Sequence, residues 1–273
     1  MKEQKTGGLN HGRKVAEVTL LALAIVMGAV NTLRAQNLTR PSIYAGENKV
    51  ALAFNEQGVV QAGAGQYTKA IESFRRAIEL DQNFAVAHNN LGATYNVLDR
   101  YHEAIGPLRR ALEIKPDYAE AHFNLGESYS HLGQNREALR AFQRATEQDP
   151  DFVEAQNRVG LALSNLGRHE QAIKVFLMAI QRRPEHELAY NNLGVEQADL
   201  GNYREAIALF ERALAIKPTF AAARFNLGVV YVRTKKREAA LTQCKMLRDL
   251  DQRLAERLYA GIYLGKVLIL PAN

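Results

Sequence analysis

The sequence predicts an all-α protein built from six 34-residue helical hairpins stacked in a quasi-linear array, with a capping helix after them. Three observations carry this reading. The first is a fixed period: Gly58, Gly92, Gly126, Gly160, Gly194 and Gly228 stand 34 residues apart. Ala70, Ala104, Ala138, Ala172, Ala206 and Ala240 keep step, as do Ala77, Ala111, Ala145, Ala179 and Ala213, with Leu247 in the sixth place. Pro116, Pro150, Pro184 and Pro218 form a fourth column. The second is helical spacing within a period, as in Leu91, Tyr95 and Leu98, then Ala104, Ile105, Leu108, Ala111 and Leu112. The third is a recurrent punctuation between the two helices, filled by Gly65, Asp99, Gly133, Gly167, Gly201 and Lys235.

Taken in order, residues 1–35 read as a signal peptide. Lys2, Lys5, Arg13 and Lys14 precede an apolar run, and Ala35 offers a small residue at a cleavage point. The uncharged stretch 18–33 is shorter than the roughly 20 residues a helix needs to cross a hydrocarbon core. Export to a periplasmic or extracellular compartment follows, with retention of residues 15–33 as a membrane anchor as the alternative. Residues 36–50 are a linker, and 51–254 hold the six units. In each unit the punctuation slot needs a left-handed residue, which Gly adopts at least cost, so Asp99 and Lys235 mark strained turns. Each Pro stops a second helix, and the small residues of the Gly and Ala columns let the two helices approach closely. Pro107 falls inside a second helix and predicts a bend there. The end units depart from the pattern: Gln61 replaces the Tyr of Tyr95, Tyr129 and Tyr231, and Cys244 replaces the Phe of Phe142, Phe176 and Phe210. Residues 255–273 are a capping helix and tail, the helix carrying Leu258, Tyr259 and Ile262 on one face.

The fifth unit displays the pattern fully: Asn192, Leu193 and Gly194, then Gly201, Asn202 and Tyr203, Glu205, Ala206 and Ile207, Phe210, Arg212, Ala213 and Leu214, and Lys217 with Pro218. Such units resemble tetratricopeptide (TPR) repeats. The resemblance implies an α-solenoid, the TPR superhelix, whose first helices line a concave groove.

The chemistry-bearing residues form no catalytic or metal-ligating constellation, so neither an enzyme nor a cofactor is expected. His88 and His122 share a slot with Phe54, Gln156, Tyr190 and Arg224, which favours packing over ligation. Cys244 is the one cysteine, so no intrachain disulfide forms, and its place in a Phe column reads as core. The formal charge of +6 arises from 35 basic and 29 acidic residues. Many of the cations, such as Arg75, Arg76, Arg109, Arg110, Arg140, Arg144 and Arg212, fall on second helices, which the resemblance places on the convex side. First helices mix Glu56, Glu120, Glu127, Glu154 and Asp199 with Arg158 and Arg233, so no basic stripe for nucleic acid emerges.

The remaining signal is a column of carboxamides. Asn90, Asn124, Asn192 and Asn226 share one slot, and Asn55, Asn89, Asn157 and Asn191 fill the slot before it. This resembles the asparagine ladder in the repeat domain of O-linked N-acetylglucosamine transferases, where such side chains grip the backbone of an extended peptide. A carboxamide both donates and accepts, and so matches a peptide bond. Two roles stand open: holding a ligand, or linking neighbouring helices. The candidate groove comprises Asn89, Asn90, Phe123, Asn124, Glu127, Asn157, Arg158, Asn191, Asn192, Phe225 and Asn226, and the expected partner is a protein or peptide. The alternative function is lateral docking on an envelope assembly through convex or terminal surfaces.

Overall fold

A computed structural model describes residues 49–264 and Leu270. The expected signal peptide, most of the linker, and the tail other than Leu270 lie outside the described residues. No helix among the described residues is long and apolar enough to cross a membrane. The chain divides into two compact units, with the boundary after Gly133. Thirteen helices are described.

The first unit holds α1 (Lys49–Gly63), α2 (Tyr67–Leu80), α3 (Ala85–Val97), α4 (Tyr101–Ile114) and α5 (Ala119–His131). The second holds α6 (Asn135–Gln148), α7 (Val153–Asn165), α8 (His169–Arg182), α9 (Glu187–Asp199), α10 (Tyr203–Ile216), α11 (Ala221–Arg233), α12 (Arg237–Arg248) and α13 (Gln252–Leu264). Within each unit, consecutive helices pack on one another, and first helices also touch the first helices of neighbouring hairpins. These are the α-solenoid hairpins that the period predicts.

The turn slots behave as their residues dictate. Gly65, Gly133, Gly167 and Gly201 have φ of 72 to 82°, and Asp99 and Lys235 are forced to 58° and 60°. Asp99 is helped by a bond: Tyr101 donates its hydroxyl to Asp99 Oδ1 at 2.5 Å while stacking on His131. Burial and the adjacent carboxylate push the Tyr101 phenol up to about 12.

The Gly column accommodates side chains more than backbones. A Cβ on Gly58, Gly160 or Gly194 would stand 2.4 to 2.7 Å from the ring of Phe74, Phe176 or Phe210, and one on Gly92 would strike Leu108. In the sixth unit, where Cys244 replaces the Phe, the space at Gly228 is filled by Leu258 from α13 instead. The capping helix therefore completes the core it covers. It starts at Gln252, earlier than the expected Ala255, because Asp251 Oδ1 accepts from Leu254 N at 3.0 Å and caps it. Its inward face is Ala255, Leu258 and Ile262, whereas Tyr259 is exposed. Tyr259 sits 100° round the helix from Leu258 and packs beside Tyr263 at 4.4 Å. Pro107 leaves α4 continuous over Tyr101–Ile114.

Candidate functional site

The carboxamides meet across neighbouring first helices with an offset of 35 residues, pairing the shared slot of one hairpin with the preceding slot of the hairpin before. In the first unit Asn90 Nδ2 donates to Asn55 Oδ1 at 3.0 Å, and Asn124 Nδ2 to Asn89 Oδ1 at 2.9 Å. Asn89 Nδ2 in turn reaches Tyr118 Oη at 3.5 Å. A side branch ties α3 to α5 again: Asn96 Nδ2 donates to the Asn124 carbonyl at 2.8 Å, and Ser128 Oγ to Asn96 Oδ1 at 2.7 Å.

In the second unit the bonds form one chain. Asn226 Nδ2 donates to Asn191 Oδ1 at 2.9 Å, Asn191 Nδ2 to Asn192 Oδ1 at 3.1 Å, and Asn192 Nδ2 to Asn157 Oδ1 at 3.0 Å. This chain joins α11, α9 and α7. Asn191, Asn192 and Asn226 are 0 to 1% exposed. The geometry thus gives the carboxamides the linking role left open by the sequence, since a buried amide needs partners.

The candidate residues accordingly divide. Asn89, Asn124, Asn157, Asn191, Asn192, Phe225 and Asn226 are buried. Asn90, Phe123 and Glu127 in the first unit, and Arg158 in the second, keep accessible surface. Beside them, Arg233 Nη1 lies 3.4 Å from Asp199 and Arg183 Nη1 3.7 Å from Glu154, which offsets charge along the first helices of the second unit.

Four of the six residues in the histidine slot reach back to the backbone carbonyl six residues earlier. His88 Nε2 pairs with the Gln82 carbonyl at 3.1 Å and His122 Nε2 with that of Pro116 at 2.8 Å. Gln156 and Arg224 make the same reach to Pro150 and Pro218. Burial holds the His88 imidazole below its ordinary pKa. Cys244 is buried, with its thiol 3.3 Å from the Ala255 carbonyl, and burial pushes its pKa up.

Two second-helix arginines, Arg75 and Arg109, are linkers as well as solvated charges. Arg75 Nη2 donates to Tyr95 Oη at 2.7 Å and Arg109 Nη2 to Tyr129 Oη at 2.8 Å, each binding a second helix to the next first helix. At Gln61, which stands in the Tyr column, Oε1 accepts from Ser73 Oγ at 2.7 Å within the first hairpin.

Sequence reasoning missed Glu196. It is 3% exposed on α9, and its Oε2 lies 2.8 Å from His169 Nδ1 at the start of α8. Its column otherwise holds Val60, Thr94, Ser128, Ala162 and Val230, and a lone carboxylate among small or apolar residues was the available signal.

Comparisons with known proteins agree with this architecture. Family models described as tetratricopeptide repeat match residues 83–151, 123–187 and 188–220, and one described as TPR repeat matches 64–96. No curated protein sequence matches. Among solved structures, YrrB, described as "a TPR protein with an unusual peptide-binding site", is 24% identical over 69% of this chain and 98% of its own, with a TM-score of 0.52. MamA is 25% identical over 59% of this chain and 94% of its own, with a TM-score of 0.55. PilF of Pseudomonas aeruginosa is 18% identical over 78% and 97%, with a TM-score of 0.65. With its period, its hairpins and family-model matches that together span residues 64–220, the chain belongs to the tetratricopeptide repeat family.

Proposed function

We propose that this chain is an exported, non-enzymatic scaffold that holds an extended segment of a partner protein along the groove face of its first helices. The supporting observation is the division of labour among the candidate residues. Carboxamide bonds fix neighbouring first helices side by side, while Asn90, itself a half-buried rung, and Phe123 and Glu127 keep accessible surface on α3 and α5. A donor–acceptor amide, an aromatic ring and a carboxylate on a rigid face suit a backbone with a basic or apolar side chain. One fold neighbour is described as having a peptide-binding site, so this fold can carry one. Export rests on the reading of residues 1–35.

The test is photocrosslinking of the full chain in its native envelope fraction, with the triple change Asn90→Ala, Phe123→Ala and Glu127→Ala beside the unaltered protein. Loss of the crosslinked partner is expected, with the helical fold retained by circular dichroism and only a small drop in melting temperature from the lost Asn90 rung. Undiminished crosslinking would move the site elsewhere. A second reading, lateral docking, is favoured by one observation: Leu177 and Met178 stand about half exposed on second helix α8. Crosslinks confined to that helix would select it.

A further inference from the structure

The residue that follows each repeat glycine lies in the middle of the first-helix face. Val59, Ala93, Glu127 and Leu161 in this slot all keep partial exposure, but Val195 is 6% and Val229 0% exposed. The cover is not confined to one position. Every residue of 191–198 on α9 and of 225–230 on α11 is buried, so both helices are enclosed all round. A first helix packs on second helices behind it and on first helices beside it. The helix α3 has neighbours of the same kinds, yet its Ala93 keeps partial exposure, so the burial on α9 and α11 has a further source.

Leu270 is the described residue beyond α13 that joins this region. It is 7% exposed and belongs to the same buried apolar cluster as Val195, Ala198, Phe225 and Val229. Along α9, Asn191, Val195 and Ala198 follow at helical steps of four and three, and along α11 Phe225, Val229 and Val232 repeat the stripe. The slot is therefore walled by branched aliphatic and aromatic groups and floored by amides already bonded to one another. The chemistry around Leu270 fits it: Val267, Leu268, Ile269 and Leu270 are aliphatic, and Pro271 biases Leu270 toward an extended backbone.

We propose that this slot is a docking site for an extended aliphatic segment ending in Leu-Pro, and that the chain's own Leu270 occupies it in cis. A segment tethered so near the end of α13 has an effective concentration on the order of millimolar, so it excludes weaker ligands of the same chemistry. A partner that enters the second unit must displace it, and this last step alone rests on the groove reading above.

Fluorescence anisotropy of a labelled peptide of sequence Gly-Lys-Val-Leu-Ile-Leu-Pro-Ala-Asn tests the assignment on the full chain. Leu270→Asp should vacate the slot and bind the peptide on the order of tenfold to a hundredfold tighter than the unaltered chain. Adding Val229→Glu should abolish that gain. Leu270→Ala, which removes the anchor without adding a charge, should show a smaller gain in the same direction, and circular dichroism verifies that each variant is folded. Equal affinity of the unaltered chain and both Leu270 variants would overturn the proposal. So would a dimer that Leu270→Asp converts to monomer, because the segment would then sit in a second copy. Peptide binding that depends on Val229, with partner crosslinking indifferent to Asn90, Phe123 and Glu127, would uphold the slot and remove the groove reading. The converse pattern would do the opposite.

Discussion

Asn191 is the residue on which the second unit's carboxamide chain turns, accepting from Asn226 and donating to Asn192 while fully buried. Replacing it by Ala takes an acceptor from one neighbour and a donor from the other where water cannot compensate. Asn191→Ala should therefore cost about 2 to 3 kcal/mol, seen as a lower urea midpoint. Asn90→Ala at a half-buried rung should cost less than about 1 kcal/mol. Equal losses at the two sites would refute the linking role. His186 is a second residue with a defined burden, since its Nδ1 accepts from Ala189 N at 3.3 Å and so caps α9 only while unprotonated. Burial lowers the pKa of His186, as it does that of His88, below the ordinary 6.5. The unfolded chain then binds more protons than the folded one once pH falls below about 6.5, so stability is full above that value and declines beneath it. Melting temperatures should drop between pH 7.5 and 5.5, and the double change His186→Asn and His88→Gln should flatten that slope.

The two-helix element tests the turn chemistry. Lys235 holds φ at 60° without a bond like the one Tyr101 gives Asp99. Lys235→Gly should stabilise by about 1 kcal/mol, because only Gly adopts this region freely. At the other extreme, Gly194→Ala would place a Cβ 2.7 Å from the Phe210 ring inside a packed hairpin, and should destabilise by about 1 to 3 kcal/mol. Both changes are read by thermal melting, and the opposite sign in either would show that the column has been misassigned. These positions were legible in the sequence because glycine columns and left-handed slots repeat with the same period as the fold. The carboxamide pairing was legible only as a column. Its 35-residue offset depends on how far one helix is staggered against the next, and a residue list does not encode that stagger. Glu196 and Leu270 were less legible still, because each is a single departure that no period reinforces.

At the scale of the whole molecule, a stack of hairpins owes its stability to each unit and its immediate neighbours, so protection is set locally. Enclosure is far from uniform along the described chain. α9 and α11 are buried on every side over 191–198 and 225–230, whereas α1 leaves Val50 and Val60 more than half exposed. Amide hydrogen exchange read by mass spectrometry should therefore be slowest in the peptides of α9 and α11 and fastest in those of α1 and the outer face of α13, where Tyr263 and Leu264 are exposed. The two carboxamide systems sharpen this expectation. A continuous chain through α7, α9 and α11 couples the opening of three first helices, while the separate rungs of the first unit couple them only in pairs. Asn191→Ala should then accelerate exchange in α7, α9 and α11 together, and Asn124→Ala should affect α3 and α5 without reaching α1. Acceleration restricted to α9 after the first change would mean that the carboxamides act one bond at a time, and that burial alone sets the order of opening.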